Sequence, residues 1–296
     1  MKFRKLGSST LSISEISLGC MSLPPSVSEA RNVMEIALDA GINYFDTADL
    51  YDRGLNEQIV GEIVHPYREN IILATKVGNR VTEGVDGWHW DASPSYIKNA
   101  VKMSLQRLQT DYIDVYQLHG GTIEDNLEAV IDTFDELKKE GLIRAYGISS
   151  IRPNVFVPFL QNSHAVSNMM QYNMLDRCAE EYFGVIEANG ASVVTRGSIA
   201  KGLLTEQWRT RLNNYMNYSS EELQQVLPKL EEMYGSLHSA ALAFNLQHPV
   251  VASTVIGART KEQLTTNLQA YDHITSLSSL QRMNELLKVD CYQNHR

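Results

Sequence analysis

Short apolar runs alternate with amphipathic segments along the whole chain. Residues 71–76, IILATK, are β-prone and apolar up to the end, which is typical of a strand covered by helices on both faces of a parallel sheet. Residues 28–41 place Val33, Ile36 and Ala37 on one helical face, and Gly41 follows as a helix-ending residue. The pattern therefore predicts strands and helices in alternation.

Eight segments have the strand pattern, and each is followed by a helical segment. Strands are predicted at residues 13–19, 42–46, 71–76, 111–119, 143–150, 165–173, 191–195 and 250–257. Helices are predicted at residues 28–41, 55–64, 93–108, 126–141, 152–162, 180–190, 236–249 and 260–270. Eight such units fit a closed (β/α)8 barrel, typically about 250 residues long, better than an open doubly wound sheet. The open sheet stays the alternative, because strand closure cannot be read from a sequence.

We therefore predict an α/β protein with a TIM barrel, built as a single domain over residues 1–296. Residues 2–14 carry a Gly-Ser-Ser turn between two short runs, so we expect an N-terminal hairpin that closes the barrel floor. Residues 277–289 predict an extra C-terminal helix. Residues 205–219 are irregular and predict a long loop after the seventh strand.

Apolar runs, net charge and cysteine content indicate where the protein is located in the cell and which kinds of binding partner are not expected. The sequence has no run of about 18 apolar residues, so we expect no transmembrane helix. The basic start MKFRKLGSST is not followed by the apolar region of a signal peptide, so we expect no signal peptide. The net charge of −9 argues against general binding to nucleic acid. Cys20, Cys178 and Cys291 are odd in number and widely spaced. We therefore expect no disulfide framework and no zinc site, and a reducing cytoplasmic location.

Polar residues stand where the predicted strands end. In a (β/α)8 barrel, chemistry takes place at the carboxyl ends of the strands. Asp46 ends the second strand with Tyr51 just beyond, Lys76 ends the third and His119 ends the fourth. Taken singly, each is commonly a turn or packing residue. Together they place an acid, a phenol, an amine and an imidazole at one mouth, which indicates an active site.

These four side chains suit one kind of chemistry. A phenol has a pKa near 10, and a nearby ammonium lowers that pKa. A carboxylate such as Asp46 can hold Lys76 charged and in place, and His119 can donate a hydrogen bond to a substrate oxygen. The set suits protonation of an oxygen that becomes an alcohol, as in carbonyl reduction. None of the four supplies two electrons, so a hydride donor is needed.

Six stretches of the sequence resemble the aldo-keto reductase family over essentially the whole chain. They are GINYFDTADLY, LATKVG, SLQRLQTDYIDVYQLH, YGIS, MQYN and VIGARTKEQLTTN. The resemblance implies a barrel that binds NADP(H) without a Rossmann domain, in agreement with the absence of a G-x-G-x-x-G motif after a strand. It also implies that Tyr51 is the proton donor and that Lys76, paired with Asp46, adjusts the acidity of the phenol. His119 would orient the substrate carbonyl.

The resemblance further implies a cofactor site. The family's contacts to the nicotinamide carboxamide fall on Ser149 and Gln171, and its adenosine-phosphate site falls on Gly257, Arg259, Gln263 and Asn267. Two positions depart from the family pattern. Ser150 stands where an asparagine is usual, and Arg196 stands where many members have an aromatic residue. A guanidinium can also stack on a planar ring, so we keep Arg196 as a cofactor contact.

Two clusters of rings are expected near the mouth, with ordinary loop packing as the alternative. Trp88, His89 and Trp90 follow the third strand and are predicted to form pocket walls. Trp208, Tyr215 and Tyr218 lie in the segment 205–219 and are predicted to border the cofactor or the substrate.

The sequence thus predicts NADPH-dependent reduction of an aldehyde or ketone to an alcohol, and the reverse reaction. The expected partners are NADP(H) and a small carbonyl substrate, with no metal, nucleic acid or membrane, in a monomer or weak oligomer. A regulatory NADP(H)-binding barrel, resembling potassium-channel β subunits, is the second interpretation. A metal-dependent barrel hydrolase ranks last, because no H-x-H pattern follows the first strand.

Overall fold

The computed structural model, which describes residues 1–82, 84, 86–274 and 280–288, is built around a closed barrel of eight parallel strands. In chain order the barrel strands are β3 (Ile16–Gly19), β4 (Tyr44–Asp46), β5 (Ile72–Val77), β8 (Ile113–Leu118), β9 (Ile143–Ile148), β10 (Ser167–Gln171), β11 (Ser192–Arg196) and β12 (Val251–Gly257). Each strand pairs with the next, and β12 pairs with β3 to close the ring. The predicted TIM barrel is confirmed, and the open sheet is excluded.

The helices follow the barrel strands along the chain, with a helix also after β12, the last strand of the ring. They are α1 (Val27–Asp39), α2 (Leu55–Val64), α3 (Pro94–Leu108), α4 (Leu127–Lys139), α5 (Pro153–Gln161), α6 (Phe183–Ala188), α7 (Trp208–Arg211), α8 (Ser220–Tyr234), α9 (Leu237–Leu246) and α10 (Lys261–Asp272). Their starts follow local chemistry. At α3, Ser93 is the N-cap and accepts a hydrogen bond from the Tyr96 N–H, while Pro94 occupies the first helical position.

The N-terminal hairpin pairs β1 (Phe3–Lys5) with β2 (Ser12–Ser14) in antiparallel register. The prediction of one strand over residues 13–19 is therefore wrong, because the hairpin strand ends before Glu15 and β3 starts after it. The Glu15 carboxylate accepts from Arg4 at 2.7 Å and from the Tyr271 hydroxyl at 2.8 Å. Leu6 and Ile13 of the hairpin join the apolar layer inside the barrel, so the hairpin closes the barrel floor as expected.

The segment between β11 and β12 holds three helices where one was predicted. The expected loop at residues 205–219 contains the short helix α7, and α8 was not predicted at all. Helix α8 starts with a capping box, in which Ser219 and Glu222 satisfy each other's backbone N–H groups. It buries Leu223, Leu227 and Leu230 at helical spacing. A capping box followed by leucines at helical spacing is a pattern that predicts a helix, so α8 could have been predicted from the sequence.

The predicted C-terminal helix over residues 277–289 is only partly described. Within it the structure has a 3₁₀ turn at Leu280–Glu285. Residues 277–279 and 289 lie outside the described residues. Lys288 follows the turn and donates through its backbone N–H to the Tyr218 hydroxyl, so this segment packs on the loop that precedes α8.

The close approach of α2 to α3 requires a glycine. A Cβ built on Gly61 of α2 would lie 2.6 Å from both the Cα and the carbonyl carbon of Leu108 at the end of α3. These are backbone atoms, so the contact cannot be relieved by a rotamer change. A side chain at position 61 would have to push the two helices apart.

We expect Gly61→Ala to lower the free energy of unfolding by roughly 1–3 kcal/mol, because overpacking outweighs the helix propensity gained from alanine. Gly184→Ala is the matched control, since Gly184 also lies in a helix and a Cβ there meets nothing within 4 Å. That variant should be neutral or more stable by about 0.5–1 kcal/mol. Chemical denaturation of both variants measures the difference, and a Gly61→Ala protein as stable as Gly184→Ala would contradict the close approach.

Candidate active site

The four predicted catalytic residues meet at the carboxyl end of the barrel. Asp46 is the last residue of β4 and Lys76 lies near the end of β5. His119 directly follows β8, and Tyr51 begins a 3₁₀ turn after β4. Because β4, β5 and β8 are consecutive neighbours in the ring, their ends bring these side chains together.

The Lys76 ammonium is the centre of this cluster. It is 1% exposed, and it donates to Asp46 Oδ1 at 2.5 Å and to the Thr47 carbonyl at 2.6 Å. Its third contact is the Tyr51 hydroxyl at 3.4 Å. The three donor directions of the ammonium are therefore directed at a carboxylate, a carbonyl and the phenol.

The charge of Lys76 is maintained by Asp46. Burial alone would lower the pKa of Lys76, but the Asp46 carboxylate and the Tyr51 oxygen outweigh it and raise that pKa above its ordinary value. The carboxylate is itself held on its second oxygen, which accepts from Gln117 Nε2 at 3.0 Å. A fixed positive charge therefore faces the Tyr51 phenol.

The turn that carries Tyr51 has an unusual backbone. Asp52, Arg53 and Gly54 all have positive φ, at 48°, 55° and 89°. Only glycine adopts this region readily. Arg107 of α3 packs on the turn, because a Cβ on Gly54 would lie 2.8 Å from the Arg107 Cδ. Arg107 in turn pairs with the buried carboxylate of Glu57 at 2.6 Å, so the outer helices support the phenol's position.

His119 stands against Tyr51 as a neutral ring. The two ring centroids are 6.1 Å apart and the planes are nearly perpendicular. Burial, together with the positive charges of Lys76 and Arg196, lowers the pKa of His119 to about 3. The imidazole therefore has one N–H to donate and carries no charge near neutral pH.

Trp90 forms a wall beside His119. It lies in a hairpin that was not predicted, with β6 (Asn79–Arg80) paired to β7 (His89–Trp90). Its ring packs on the backbone of Gly78 and Gly120, whose φ angles of 131° and 126° no other residue adopts easily. Asp125 fixes the indole by accepting from Nε1 at 2.8 Å. The expected wall is therefore Trp90, whereas Trp88 is 56% exposed and His89 is exposed.

Gln171 and Arg196 lie together at the ends of β10 and β11. Gln171 Oε1 accepts from the Arg196 guanidinium at 3.3 Å, and its Nε2 donates to Asp176 at 2.6 Å. The field of Arg196 reaches His119, so these residues border the catalytic cluster. Ser149 follows β9 and is half-buried, with its N–H donating to the Leu118 carbonyl.

Ser150 has a structural role. Its side chain is 5% exposed, and its hydroxyl accepts from the backbone N–H of Arg152 at the start of α5. Its own N–H donates to Asn168 Oδ1. Ser150 therefore connects the end of β9 to the start of α5 and to β10.

A second set of predicted residues lines one cavity between the ends of β11 and β12. Gly257, Gln263 and Asn267 border this cavity of about 420 Å³, together with Lys201 and Arg211. Arg259 does not line it. It borders an adjacent cavity with Lys261 and Glu262, and its N–H donates to Gln263 Oε1 at 2.7 Å. The lining combines two cations and three amides, which suit phosphate groups, with the carboxyl groups of Glu206 and Glu262.

Sequence reasoning missed three residues of these sites: Gln117, Lys201 and Arg211. Gln117 sits two residues before His119, and a buried amide near the end of a strand is a usable signal. Arg211 lies on the short helix α7, where a loop was predicted, so no periodicity reveals it. Lys201 precedes Gly202 in the loop after β11. A cation beside a glycine is only a weak indication of a phosphate site. Of the loop rings, Tyr215 accepts at 2.9 Å from Asn173, two residues beyond Gln171, whereas Trp208 donates to Glu231 of α8. Whether they border the cofactor or the substrate stays a prediction.

Across residues 1–82, 84, 86–274 and 280–288, no group of three or more His, Cys, Asp and Glu side chains is arranged to hold a metal ion. None of the helices in the described part of the chain is long and apolar enough to cross a membrane.

Comparison with known proteins gives the class. The sequence model of the Aldo/keto reductase family matches residues 15–288. The chain is 49% identical over 306 residues to the uncharacterized oxidoreductase YqkF of Bacillus subtilis (strain 168), and the match covers 100% of both proteins. It is also 49% identical to the solved aldo-keto reductase AKR11C1 from Bacillus halodurans (holo form), with a TM-score of 0.93 and coverage of 100% of this chain and 99% of that one.

A more distant relative is the NADH-specific methylglyoxal reductase of Escherichia coli (strain K12). It is 28% identical over 327 residues, which cover 98% of this chain and 99% of the relative. The chain therefore belongs to the aldo-keto reductase family and is an oxidoreductase of that family. Its members use nicotinamide cofactors.

The depressed pKa of His119 makes stability depend on pH. Between about pH 3 and pH 6.5 the unfolded chain protonates this imidazole and the folded chain does not, so acidification favours unfolding. When the pH is lowered from about 7 to about 5, the free energy of unfolding should fall in the wild type. We expect this fall to be smaller in His119→Gln, by roughly 1–2 kcal/mol.

Urea unfolding at the two pH values measures this difference. His89→Gln is the control, because an exposed ring is hydrated in both states and its removal should keep the wild-type pH dependence. Equal losses in wild type and His119→Gln would show that His119 takes up a proton in the folded protein.

Proposed function

We propose that the protein reduces an aldehyde or ketone to an alcohol with NADPH, and that Tyr51 is the proton donor. The observation that carries this proposal is the contact between the buried Lys76 ammonium and the Tyr51 hydroxyl at 3.4 Å. A positive charge at that distance stabilises the negative charge that the phenol oxygen gains as it gives up its proton. No comparable contact would be needed in a barrel that only binds a ligand.

Each catalytic side chain has one task in this proposal. Tyr51 gives its proton to the substrate oxygen as negative charge develops there. Lys76 stabilises the phenolate that remains, and Asp46 keeps the ammonium in place. His119 is neutral, so it donates a hydrogen bond to the same oxygen without competing for the proton.

Trp90 and the rings of Tyr51 and His119 keep water from the reacting oxygen. The indole covers the backbone of Gly78, after β5, and of Gly120, after His119, and it is fixed by Asp125. Exclusion of water strengthens the hydrogen bonds and charge interactions inside the pocket. A small carbonyl compound would therefore bind with its oxygen directed at Tyr51 and His119.

The residues fit a nicotinamide dinucleotide. When bound, this group supplies the hydride that none of the four side chains can supply. Ser149, Gln171 and Arg196 would hold the nicotinamide end, since they lie beside His119. Gln263 and Asn267 of α10, with Lys201 and Arg211, would hold the adenosine and phosphate end. The positive N-terminus of α10 adds to this attraction.

The choice between NADPH and NADH depends on one extra phosphate. A 28% identical relative is named NADH-specific, so family membership alone does not decide it. Arg259 and Lys261 line the adjacent cavity, directly before and at the start of α10, and both side chains are exposed. Because the chain is acidic overall, a local pair of cations is what would favour the additional phosphate of NADPH.

Replacing the phenol tests the proton donor. Tyr51→Phe should lower kcat for reduction of an aldehyde roughly 10²–10⁴-fold, because the general acid is lost. Binding of NADPH, followed by fluorescence titration, should change little. Tyr67→Phe is the control, because this exposed tyrosine precedes the amino end of β5, whereas the site lies at the carboxyl end of that strand. A Tyr51→Phe enzyme with more than about a third of wild-type kcat would remove Tyr51 from this role.

Replacing Arg259 tests the cofactor. A hydrogen bond to a charged group is worth about 1.5–3 kcal/mol, so we expect the wild type to prefer NADPH at least about tenfold in kcat/KM. Arg259→Ala should erase most of that preference by weakening NADPH, with NADH kinetics nearly unchanged. Lys138→Ala on α4 removes a surface charge elsewhere and should keep the preference. Equal loss with both cofactors would contradict the phosphate contact.

A further inference from the structure

A polar cavity of about 540 Å³ lies on the outside of the barrel between the turn after β4, the start of β6 and helix α3. Its walls carry three arginines, Arg53, Arg80 and Arg107, and one carboxyl, Asp49. Lys76, Tyr51 and His119 do not line it. The cavity is therefore separate from the candidate active site, although it shares a wall with it.

The three guanidinium groups are not equally neutralised. Arg107 pairs with the buried Glu57, and Arg80 pairs with Asp91 at 2.9 Å. Arg53 is exposed, and within the described part of the chain it has no ion pair. Its backbone is in the left-handed region, which fixes the direction in which the side chain leaves the turn. At least one cation on the cavity wall is therefore available to a ligand.

Among the described residues, Asp49 is the one acid in the cavity wall, and its carboxyl group is only partly ionised near neutral pH. Burial first, and the neighbouring Glu57 carboxylate second, raise the pKa of Asp49 to about 7, although Arg107, the Tyr96 hydroxyl and the Leu50 backbone oppose this. The Tyr96 hydroxyl donates to Asp49 Oδ2 at 3.3 Å, and Oδ1 is buried without a partner. Near neutral pH a large share of the molecules thus has an uncharged Asp49.

The start of α3 adds further attraction for an anion. Ser95 and Tyr96 lie in the first turn of this 15-residue helix and both line the cavity. The N-terminal end of a helix carries partial positive charge. Asn79 and Asn99 supply amide groups to the same wall.

We propose that this cavity binds the oxyanion group of a small organic molecule, a phosphate monoester or a carboxylate. Three guanidinium groups, a helix N-terminus and a weakly charged acid favour an anion over a cation. The cavity is within the size range of small-molecule sites, about 300–1,000 Å³. It therefore has room for an organic body beyond the oxyanion, and Met103 and Ala100 give that body an apolar wall.

The cavity shares residues with the support of the active site. Asn79 Nδ2 donates to the His119 carbonyl at 3.1 Å, and Arg107 packs on the turn that carries Tyr51. A ligand here would contact the groups that hold His119 and Tyr51 without contacting the substrate. This gives the site a route to influence the catalytic cluster.

Calorimetric titration of the whole protein with sulfate, glycerol 3-phosphate and glycerate tests the proposal. We expect binding of at least one organic anion, and Arg53→Gln and Arg80→Gln should each weaken it at least about tenfold. The charge-matched control is Lys102→Ala, on the exposed face of α3 and outside the cavity. Tighter binding of glycerol 3-phosphate or of glycerate assigns the site to phosphates or to carboxylates.

Two controls can overturn the proposal. If Arg259→Ala abolishes anion binding and Arg53→Gln leaves it intact, the anion occupies the cofactor phosphate site and the cavity has no such role. Failure of all three anions to bind, or equal loss in Lys102→Ala and Arg53→Gln, also overturns it. None of these readouts requires turnover, so they are independent of the proposed carbonyl reduction.

A pH series with sulfate, whose charge is constant over the range, gives a further readout. Affinity should rise as the pH falls from about 8 to about 6, because Asp49 loses its negative charge near the pKa of about 7. Asp49→Asn should bind sulfate tightly at both pH values and remove the dependence. Unchanged wild-type affinity across this range, or a pH dependence that persists in Asp49→Asn, would contradict the assignment of the anion to this cavity.

Discussion

An ammonium group buried at the end of a barrel strand is stable only when it is paired, and this requirement organises the candidate active site. Removing a charged group from water costs several kcal/mol unless a counter-charge and hydrogen bonds replace the water. Lys76 has both, in Asp46 and the Thr47 carbonyl. Strand register supplies the geometry, because Lys76 lies directly opposite Gln117 on β8, and Gln117 holds the second Asp46 oxygen. The sheet itself therefore builds the charge pair that the phenol faces.

Periodicity and strand ends were enough to predict the barrel and to bring four catalytic candidates to one mouth. This worked because buried parallel strands are apolar up to their ends, so a polar residue there is visible in the sequence. The break at Glu15 was not visible, because one of the two groups that hold it, the Tyr271 hydroxyl, lies 256 residues away in the chain. For the same reason the hairpin with Trp90 and the separate cavity of Arg259 could not be predicted. Contacts between distant segments leave no local pattern.

The left-handed turn from Asp52 to Gly54 shows how the outer helices serve the site. Non-glycine residues with positive φ persist only where the surrounding structure enforces them. Here Arg107 presses on the turn from α3, and Glu57 on α2 holds Arg107. Glu57 also accepts from Thr75, the residue before Lys76 on β5. One buried carboxylate thus connects the strand of the lysine to the turn of the tyrosine.

The ring closes through residues from opposite ends of the described chain, and this sets an order of events during synthesis. Strand β3 pairs with β12, Ser17 hydrogen bonds with Ser253, and Arg4 donates to the Leu246 and Val251 carbonyls. More than 200 residues are synthesised after β3 before β12 leaves the ribosome. Until then one edge of the first barrel strand has no neighbour, and open strand edges invite wrong pairing. The N-terminal hairpin precedes β3 in the chain and packs on the adjoining end of the barrel. Protection of this open edge during synthesis therefore depends on whatever binds exposed strands in the cell, until β12 arrives.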